Sequence, residues 1–162
     1  MRKTIIGVMG GGQARSRDLE AAHRLGGLIA RQGWVLLNGG RAAGIMEASA
    51  KGAREQGGLT IGILPDAQPG RASEYIDIPI LTGIGDARNY INVLSSDVVV
   101  ACPGRAGTLS EIALALKNGR RVVLLNFDVG QAFDAYREEG LLFDVETPDE
   151  AIEKIEELLI GA

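Results

Sequence analysis

The sequence predicts one α/β domain spanning residues 1–162, with a mostly parallel sheet of about seven strands between two layers of helices. Short apolar runs alternate with helix-like segments from one end of the chain to the other. Glycine is abundant at 23 residues and aromatic residues make up only 4% of the chain, a balance that suits layered elements joined by tight turns. The length is that of one ordinary domain.

Seven apolar runs have the length of buried strands. In chain order they are Thr4–Met9, Trp34–Leu37, Leu59–Leu64, Ile76–Leu81, Asp97–Ala101, Arg121–Phe127 and Leu141–Val145. The fourth run contains Pro79. Because proline cannot donate a ladder hydrogen bond, this strand is expected at an edge of the sheet or in an irregular position.

Helices are predicted between these runs and after the last one. The segments are Ser16–Gly33, Gly44–Gly57, Asp86–Ser96, a stretch between Cys102 and Arg120, Gly130–Gly140 and Thr147–Gly161. Ser16 and Gly33 are placed to cap and to end the first helix. Thr147 and Glu150 have the spacing of a capping box. This alternation predicts helices on both faces of the sheet, a Rossmann-like arrangement in which ligands bind beyond the carboxyl ends of the strands.

Composition excludes several classes of partner. The net charge is −4 and the chain has no basic tract, so no nucleic-acid partner is expected. Cys102 is the only cysteine and cannot form an internal disulfide, which favours a reducing compartment. The apolar run near the start is too short for a secretory signal, and no stretch has the length of a membrane span. We therefore expect a cytoplasmic protein with no membrane partner and no metal site.

Arginines collect at the predicted ligand edge of the sheet. Those in or beside the loops after strands are Arg15, Arg41, Arg71, Arg88 and Arg105. An acidic protein with arginines at this edge is expected to bind an anionic, phosphorylated ligand. The lysines lie elsewhere, which argues against the Schiff-base chemistry of pyridoxal phosphate.

The loop after the first strand contains Gly10, Gly11 and Gly12, which allow a ligand to approach the backbone closely. They do not complete a dinucleotide fingerprint. Arg15 stands where the third glycine would be, and Asn38 stands where an acidic residue would bind the ribose. A nicotinamide cofactor is therefore not expected.

Two later loops carry charged residues whose role the sequence leaves open. Arg88 falls in the first turn of a helix, where a cation is unfavourable, so a compensating partner is expected: a ligand anion or a carboxylate such as Asp86. Thr108 and Glu111 have the spacing of a capping box. Glu111 is therefore either a helix cap or a functional carboxylate.

Three stretches together resemble the superfamily of Lonely guy enzymes and molybdenum cofactor carriers, which have a SLOG-type Rossmann-like domain: "GGRAAGIMEA", "DARNYINVLSSDVVVACPG" and "PGRAGTLSE". The Lonely guy signatures are G-G-G-x-x-G-x-M-G and P-G-G-x-G-T-x-x-E. This chain keeps Gly39, Gly40, Gly44, Met46, Pro103, Gly104, Gly107, Thr108 and Glu111.

The resemblance to the Lonely guy branch implies a phosphoribohydrolase, which cuts the N-glycosidic bond of nucleoside 5′-monophosphates. Its catalytic pair would be Arg88 and Glu111, with the phosphate on the turn that leads to Thr108. The chain departs from that branch at four positions. Asn89 replaces the lysine after the catalytic arginine, Arg41 and Glu47 replace glycines of the first signature, and Arg105 replaces a glycine of the second. The label lysine decarboxylase, also attached to this superfamily, is disfavoured by the lysine positions.

Other stretches, including "GWVLLNGGR" and "IPILTGIGDARN", are more similar to the molybdenum cofactor carrier branch. That branch implies a non-catalytic protein that binds a phosphorylated pterin, molybdopterin, and hands it to molybdoenzymes. It also implies a homodimer or homotetramer. The expected ligand-binding residues are Gly10, Gly11, Gly12, Gly39, Gly40, Arg41, Gly44, Met46, Asn89, Pro103, Gly104, Arg105, Gly107 and Thr108. A carrier is the first hypothesis and a phosphoribohydrolase the alternative.

Overall fold

A computed structural model describes residues 1–161 and contains seven strands and six α-helices within that range. The strands are β1 (Ile5–Met9), β2 (Val35–Asn38), β3 (Thr60–Leu64), β4 (Ile78–Leu81), β5 (Val98–Ala101), β6 (Arg121–Leu125) and β7 (Leu142–Val145). The helices are α1 (Ser16–Arg31), α2 (Gly44–Glu55), α3 (Arg88–Leu94), α4 (Ala106–Lys117), α5 (Asp134–Glu138) and α6 (Pro148–Ile160). The predicted α/β fold is confirmed.

All neighbouring strands pair in parallel, in the order β4-β3-β2-β1-β5-β6-β7. The sheet is thus fully parallel, where the sequence predicted it to be mostly so. The strand that contains Pro79 lies at one edge, as predicted, and its four residues are exposed.

Helices cover both faces of the sheet. One apolar core joins α1, α2 and α6 to side chains such as Ile6 and Val100, and a second joins α3, α4 and α5 to side chains such as Met9 and Val99. Because β5 contributes to both cores, all four of its residues are buried. This explains why its sequence is continuously apolar instead of alternating.

The strand order reverses between β1 and β5, which places a topological switch point there. The chain leaves β1 for α1 on one face and leaves β5 for α4 on the other face. The two loops therefore diverge above the sheet, and such a divergence opens a crevice for a ligand. A hydrogen bond joins the two loops, from the N–H of Gly11 to the carbonyl of Pro103 at 3.0 Å.

The helix ends agree with the sequence in two places and differ in two. Gly33 follows α1 with a φ of +74°, and Thr147 forms the predicted capping box with Glu150. Ser16 does not cap α1, because Arg15 occupies the N-cap position. Thr108 and Glu111, whose spacing left the role of a helix cap open, form no capping box.

The reason is the position at which α4 starts. Arg105 is the N-cap, and its carbonyl accepts from the N–H of Leu109 at 2.9 Å. Thr108 is therefore already helical, two residues inside α4, and Glu111 is free for another contact. Of the helices in residues 1–161, none is both long enough and apolar enough to cross a lipid bilayer.

Candidate functional site

A cleft of about 440 Å³ lies at the carboxyl ends of β1 and β2, beside the switch point. Its floor is the glycine loop after β1, and its walls come from the start of α3 and the start of α4. The volume falls in the range of small-molecule sites. This is the edge of the sheet at which the sequence predicted a ligand.

Most of the predicted site residues line this cleft. They are Gly10, Gly11, Gly12, Gly39, Met46, Arg88, Asn89, Arg105, Gly107, Thr108 and Glu111. The predicted residues that lie outside its lining are Gly40, Arg41, Gly44, Pro103 and Gly104. Lining residues that the sequence analysis did not assign to the site are Val8, Met9, Gln13 and Asp86.

Arg88 is buried, with 9% of its surface exposed, at the first position of α3. Its Nη1 donates to the carbonyl oxygens of Gly39 and Ile63, both at 2.7 Å. These are the carboxyl ends of β2 and β3, so Arg88 ties α3 to the sheet. The compensating partner expected for Arg88 is therefore the backbone, and no hydrogen bond to Asp86 forms in the described residues.

The electrostatics of Arg88 follow from its burial. Removal from water lowers the pKa of Arg88, and the charge of Glu111 opposes that shift. The buried Nε of Arg88 has no hydrogen-bond partner in residues 1–161. An orphaned buried donor beside a cleft is a group that a ligand can satisfy.

Glu111 projects from α4 and is 8% exposed. Nδ2 of Asn92, one turn along α3 from Arg88, donates to its Oε1 at 3.1 Å. Burial raises the pKa of Glu111 to about 7, against the opposing effects of Asn92 and Arg88. Glu111 is therefore close to half-protonated at neutral pH, and no Arg88–Glu111 ion pair forms in the part of the chain described.

Asn92 is a site residue that sequence reasoning missed. It lies four residues after Arg88, and residues four apart share one face of a helix. That spacing was available in the sequence. The sequence did not show that Asn92 would be the partner of Glu111, because this pairing depends on how α3 packs beside α4.

Glycines are required here by close packing. A Cβ on Gly39 would collide with Nη1 of Arg88 and come within 2.7 Å of the sulfur of Met46. A Cβ on Gly104 would lie 2.7 Å from Cβ of Thr108 and 2.9 Å from the backbone nitrogen of Gly11. Neither glycine has a positive φ, so these two positions need a small residue and not a special backbone conformation.

The two arginines that replace signature glycines have different surroundings. Arg105 is exposed and lines the cleft at the N-cap of α4, where free N–H groups carry partial positive charge. Arg41 forms an ion pair with Asp66 at 3.6 Å, and its buried Nε has no hydrogen-bond partner among residues 1–161. Of these two arginines, Arg105 is therefore the one that brings a positive charge to the cleft.

Cys102 follows β5 but does not reach the cleft. It is 1% exposed and packs in the core beneath α1. Burial, followed by the negative charge of Asp18, raises the pKa of its thiol to about 12. The thiol is therefore neutral, and its role is that of a small apolar side chain.

A fully parallel sheet with a cleft at its switch point places the protein among Rossmann-like α/β domains. The model of the SLOG cluster4 family matches residues 3–152, and the chain belongs to that family. The resemblance drawn from the sequence signatures is thereby confirmed.

Two solved structures show the likeness in detail. The molybdenum cofactor binding protein of Rippkaea orientalis is 52% identical, with a TM-score of 0.93, over 98% of this chain and 99% of its own. The molybdenum cofactor carrier protein of Chlamydomonas reinhardtii is 44% identical, with a TM-score of 0.91, over 98% of this chain and 99% of its own.

A more distant relative carries an enzyme name. It is the cytokinin riboside 5′-monophosphate phosphoribohydrolase of Mycobacterium tuberculosis, 37% identical over 103 residues. The match covers 62% of this chain and 55% of that protein. The similarity to molybdenum cofactor proteins is thus both higher and more complete than the similarity to this hydrolase.

Proposed function

We propose that this protein is a molybdenum cofactor carrier-like protein, which binds the phosphorylated pterin in the cleft and does not transform it. The observation that carries the proposal is the end-to-end similarity to the two molybdenum cofactor proteins, together with a ligand-sized cleft at the switch point. The local geometry of the cleft supports a binding role over a catalytic one.

Arg88 and Glu111 support this choice. Arg88 commits its Nη1 to two backbone carbonyls, so the guanidinium holds the walls of the cleft together. Glu111 is bound by a neutral amide, and its raised pKa leaves it largely uncharged below pH 7. A neutral carboxyl beside a fixed cation reduces repulsion of an anionic ligand.

The cleft residues fit the chemistry of this cargo. Arg105 and the free N–H groups at the start of α4 suit a phosphate group. The glycines after β1 leave the backbone open to close approach. Nε of Arg88 is a further donor, since it is buried and has no partner among the described residues.

Cofactor retention tests the proposal. The protein is co-expressed with molybdenum cofactor synthesis, purified and analysed for bound pterin per polypeptide. We expect bound pterin in the wild type and a several-fold loss in Arg105→Ala. Arg71→Ala is the matched control, because Arg71 is exposed in a loop at the same edge of the sheet but lies outside the cleft lining. Absence of pterin from the wild type would contradict the proposal.

A phosphoribohydrolase remains the alternative because Arg88 and Glu111 do line one cleft. A carboxyl with a pKa of about 7 is also suited to general acid–base work at neutral pH. This alternative predicts release of free adenine from AMP. The release must disappear in Glu111→Gln, which keeps the acceptor for Asn92 but cannot transfer a proton.

A homodimer or homotetramer and a hand-over to molybdoenzymes remain proposals that rest on the same resemblance. One surface supports self-association: the edge strand exposes Ile78, Ile80 and Leu81, each more than 40% exposed. Exposed apolar edge strands are normally covered. Native mass measurement, with Ile80→Lys as the disrupting variant, tests this point.

A further inference from the structure

We propose a second ligand site on the other half of the sheet edge, a cavity of about 680 Å³ between the start of α1 and the ends of β6 and β7. The ligand class is a planar heterocycle that presents paired N–H donors to Asp18. The 2-aminopyrimidin-4-one edge shared by guanine and pterins has this pattern. The proposal does not depend on the function assigned to the first cleft.

The two cavities are separate. They share no lining residue. Between them, the loops after β1 and β5 meet at the hydrogen bond from Gly11 to Pro103. The second cavity therefore opens on the β5-β6-β7 side of the switch point, where the first cleft does not reach.

Asp18 is the buried carboxylate of this cavity, and it is paired only loosely with Arg17. Its side chain is only 6% exposed, yet it lines the cavity and accepts no hydrogen bond within residues 1–161. The nearest cation, Nε of Arg17, is 3.7 Å away, beyond hydrogen-bond distance. The first turn of α1 favours a negative charge at this position but leaves the carboxylate lone pairs unfilled. The carboxylate is open to the cavity, so a ligand that brings N–H donors can supply hydrogen bonds that residues 1–161 do not.

The remaining lining favours a hydrogen-bond donor over an anion. Arg15 and Arg17 face four carboxylates in this cavity: Asp18, Asp128, Asp144 and Glu146. Arg137, outside the lining, already binds Asp144 through Nε at 2.7 Å. With Asp144 neutralised, three carboxylates still face two arginines. The lining is therefore net negative, which distinguishes this cavity from the first cleft.

A metal ion does not fit this lining. The described residues contain no group of three or more His, Cys, Asp or Glu side chains placed to hold a metal. A carboxylate instead binds two parallel N–H groups in a bidentate manner. Guanine offers two such groups, hypoxanthine retains one, and adenine lacks the ring N–H.

Nucleoside binding to the full-length protein tests the site. Guanosine carries no phosphate, so it does not report on the phosphate site proposed for the first cleft. Calorimetry should show guanosine binding, with inosine at least about tenfold weaker because one buried donor is lost. Asp18→Asn should remove the preference for guanosine over inosine, since the amide N–H₂ of the new side chain repels one N–H donor of the ligand. Arg105→Ala, which alters only the first cleft, should leave guanosine binding unchanged.

Three results with these proteins would overturn the proposal. Equal binding of guanosine to Asp18→Asn and to the wild type would overturn the proposal, as would no measurable binding to the wild type. A clearly lower melting temperature of ligand-free Asp18→Asn would also overturn it, because Asp18 would then serve the fold. We expect the melting temperature of this variant to be unchanged or higher.

Discussion

Asn92 donates from Nδ2 to Oε1 of Glu111 at 3.1 Å, so a neutral amide, and not Arg88, holds the carboxyl of the cleft. Arg88 meanwhile donates to the carbonyl oxygens that end β2 and β3. The two residues that would form a catalytic pair are therefore each committed to a separate partner. This separation leads to the following predictions.

The first prediction concerns the pH dependence of stability. Burial raises the pKa of Glu111 from 4.5 to about 7, so the folded state binds more protons than the unfolded state between these values. The contribution of Glu111 to stability is complete below about pH 4 and is lost as the pH rises through 7, by on the order of 3 kcal/mol. Glu111→Gln has no such titration.

Urea unfolding of the wild type and Glu111→Gln across this pH range measures the effect. The variant should gain stability relative to the wild type as the pH rises from about 4.5 to about 8. A constant difference between the two proteins over the range would show that the pKa of Glu111 is not raised.

The second prediction concerns Arg88 as a structural tie. Arg88→Met leaves the carbonyl oxygens of Gly39 and Ile63 without their donor, and we expect a loss of roughly 2 kcal/mol in the free energy of unfolding. Arg120→Met is the control. Arg120 also donates to a carbonyl, that of Leu94, but this bond is exposed and water can replace it. Equal losses in the two variants would contradict the structural role of Arg88.

The third prediction concerns Gly39. A methyl group here would collide with Nη1 of Arg88 and press on Met46, so Gly39→Ala should destabilise the fold by about 1–3 kcal/mol and weaken anion binding. Gly70→Ala is the matched control, because its added methyl group meets nothing within 4 Å. Chemical denaturation compares the two. A Gly39→Ala protein as stable as Gly70→Ala would show that the approach of Arg88 is not tight.

The fourth prediction separates the two arginines of the signature loops. Arg105 is exposed at the cleft, so Arg105→Ala should weaken binding of inorganic pyrophosphate about fivefold and flatten its dependence on salt. Arg41→Ala should have a smaller effect, because Arg41 is paired with Asp66 outside the lining. Titration at low and high ionic strength provides the measurement. A larger effect from Arg41→Ala would contradict the prediction, because the anion would then contact Arg41 and not Arg105.

The order and approximate positions of the strands, and the family, could be predicted from sequence because they depend on local patterns. Buried parallel strands have continuous apolar runs, and Pro79 marks an edge. Signature glycines such as Gly39 and Gly104 are explained by close contacts that admit no side chain. These features leave direct traces in residue type and spacing.

The partners of charged side chains could not be predicted, because they depend on the packing of distant elements. Arg88 reaches carbonyls 49 and 25 residues away, and Glu111 meets Asn92 across two helices. The start of α4 at Ala106 also rules out the capping box, because Thr108 then lies inside the helix and not at its N-cap. In each case a local pattern allowed several partners, and the tertiary structure selected one.

The most direct test of the carrier function measures two quantities on one preparation: pterin bound per polypeptide after purification, and free adenine released when AMP is added. A carrier is predicted to retain pterin and to release no adenine above the buffer blank. Release of adenine that disappears in Glu111→Gln, from protein that retains no pterin, would contradict it.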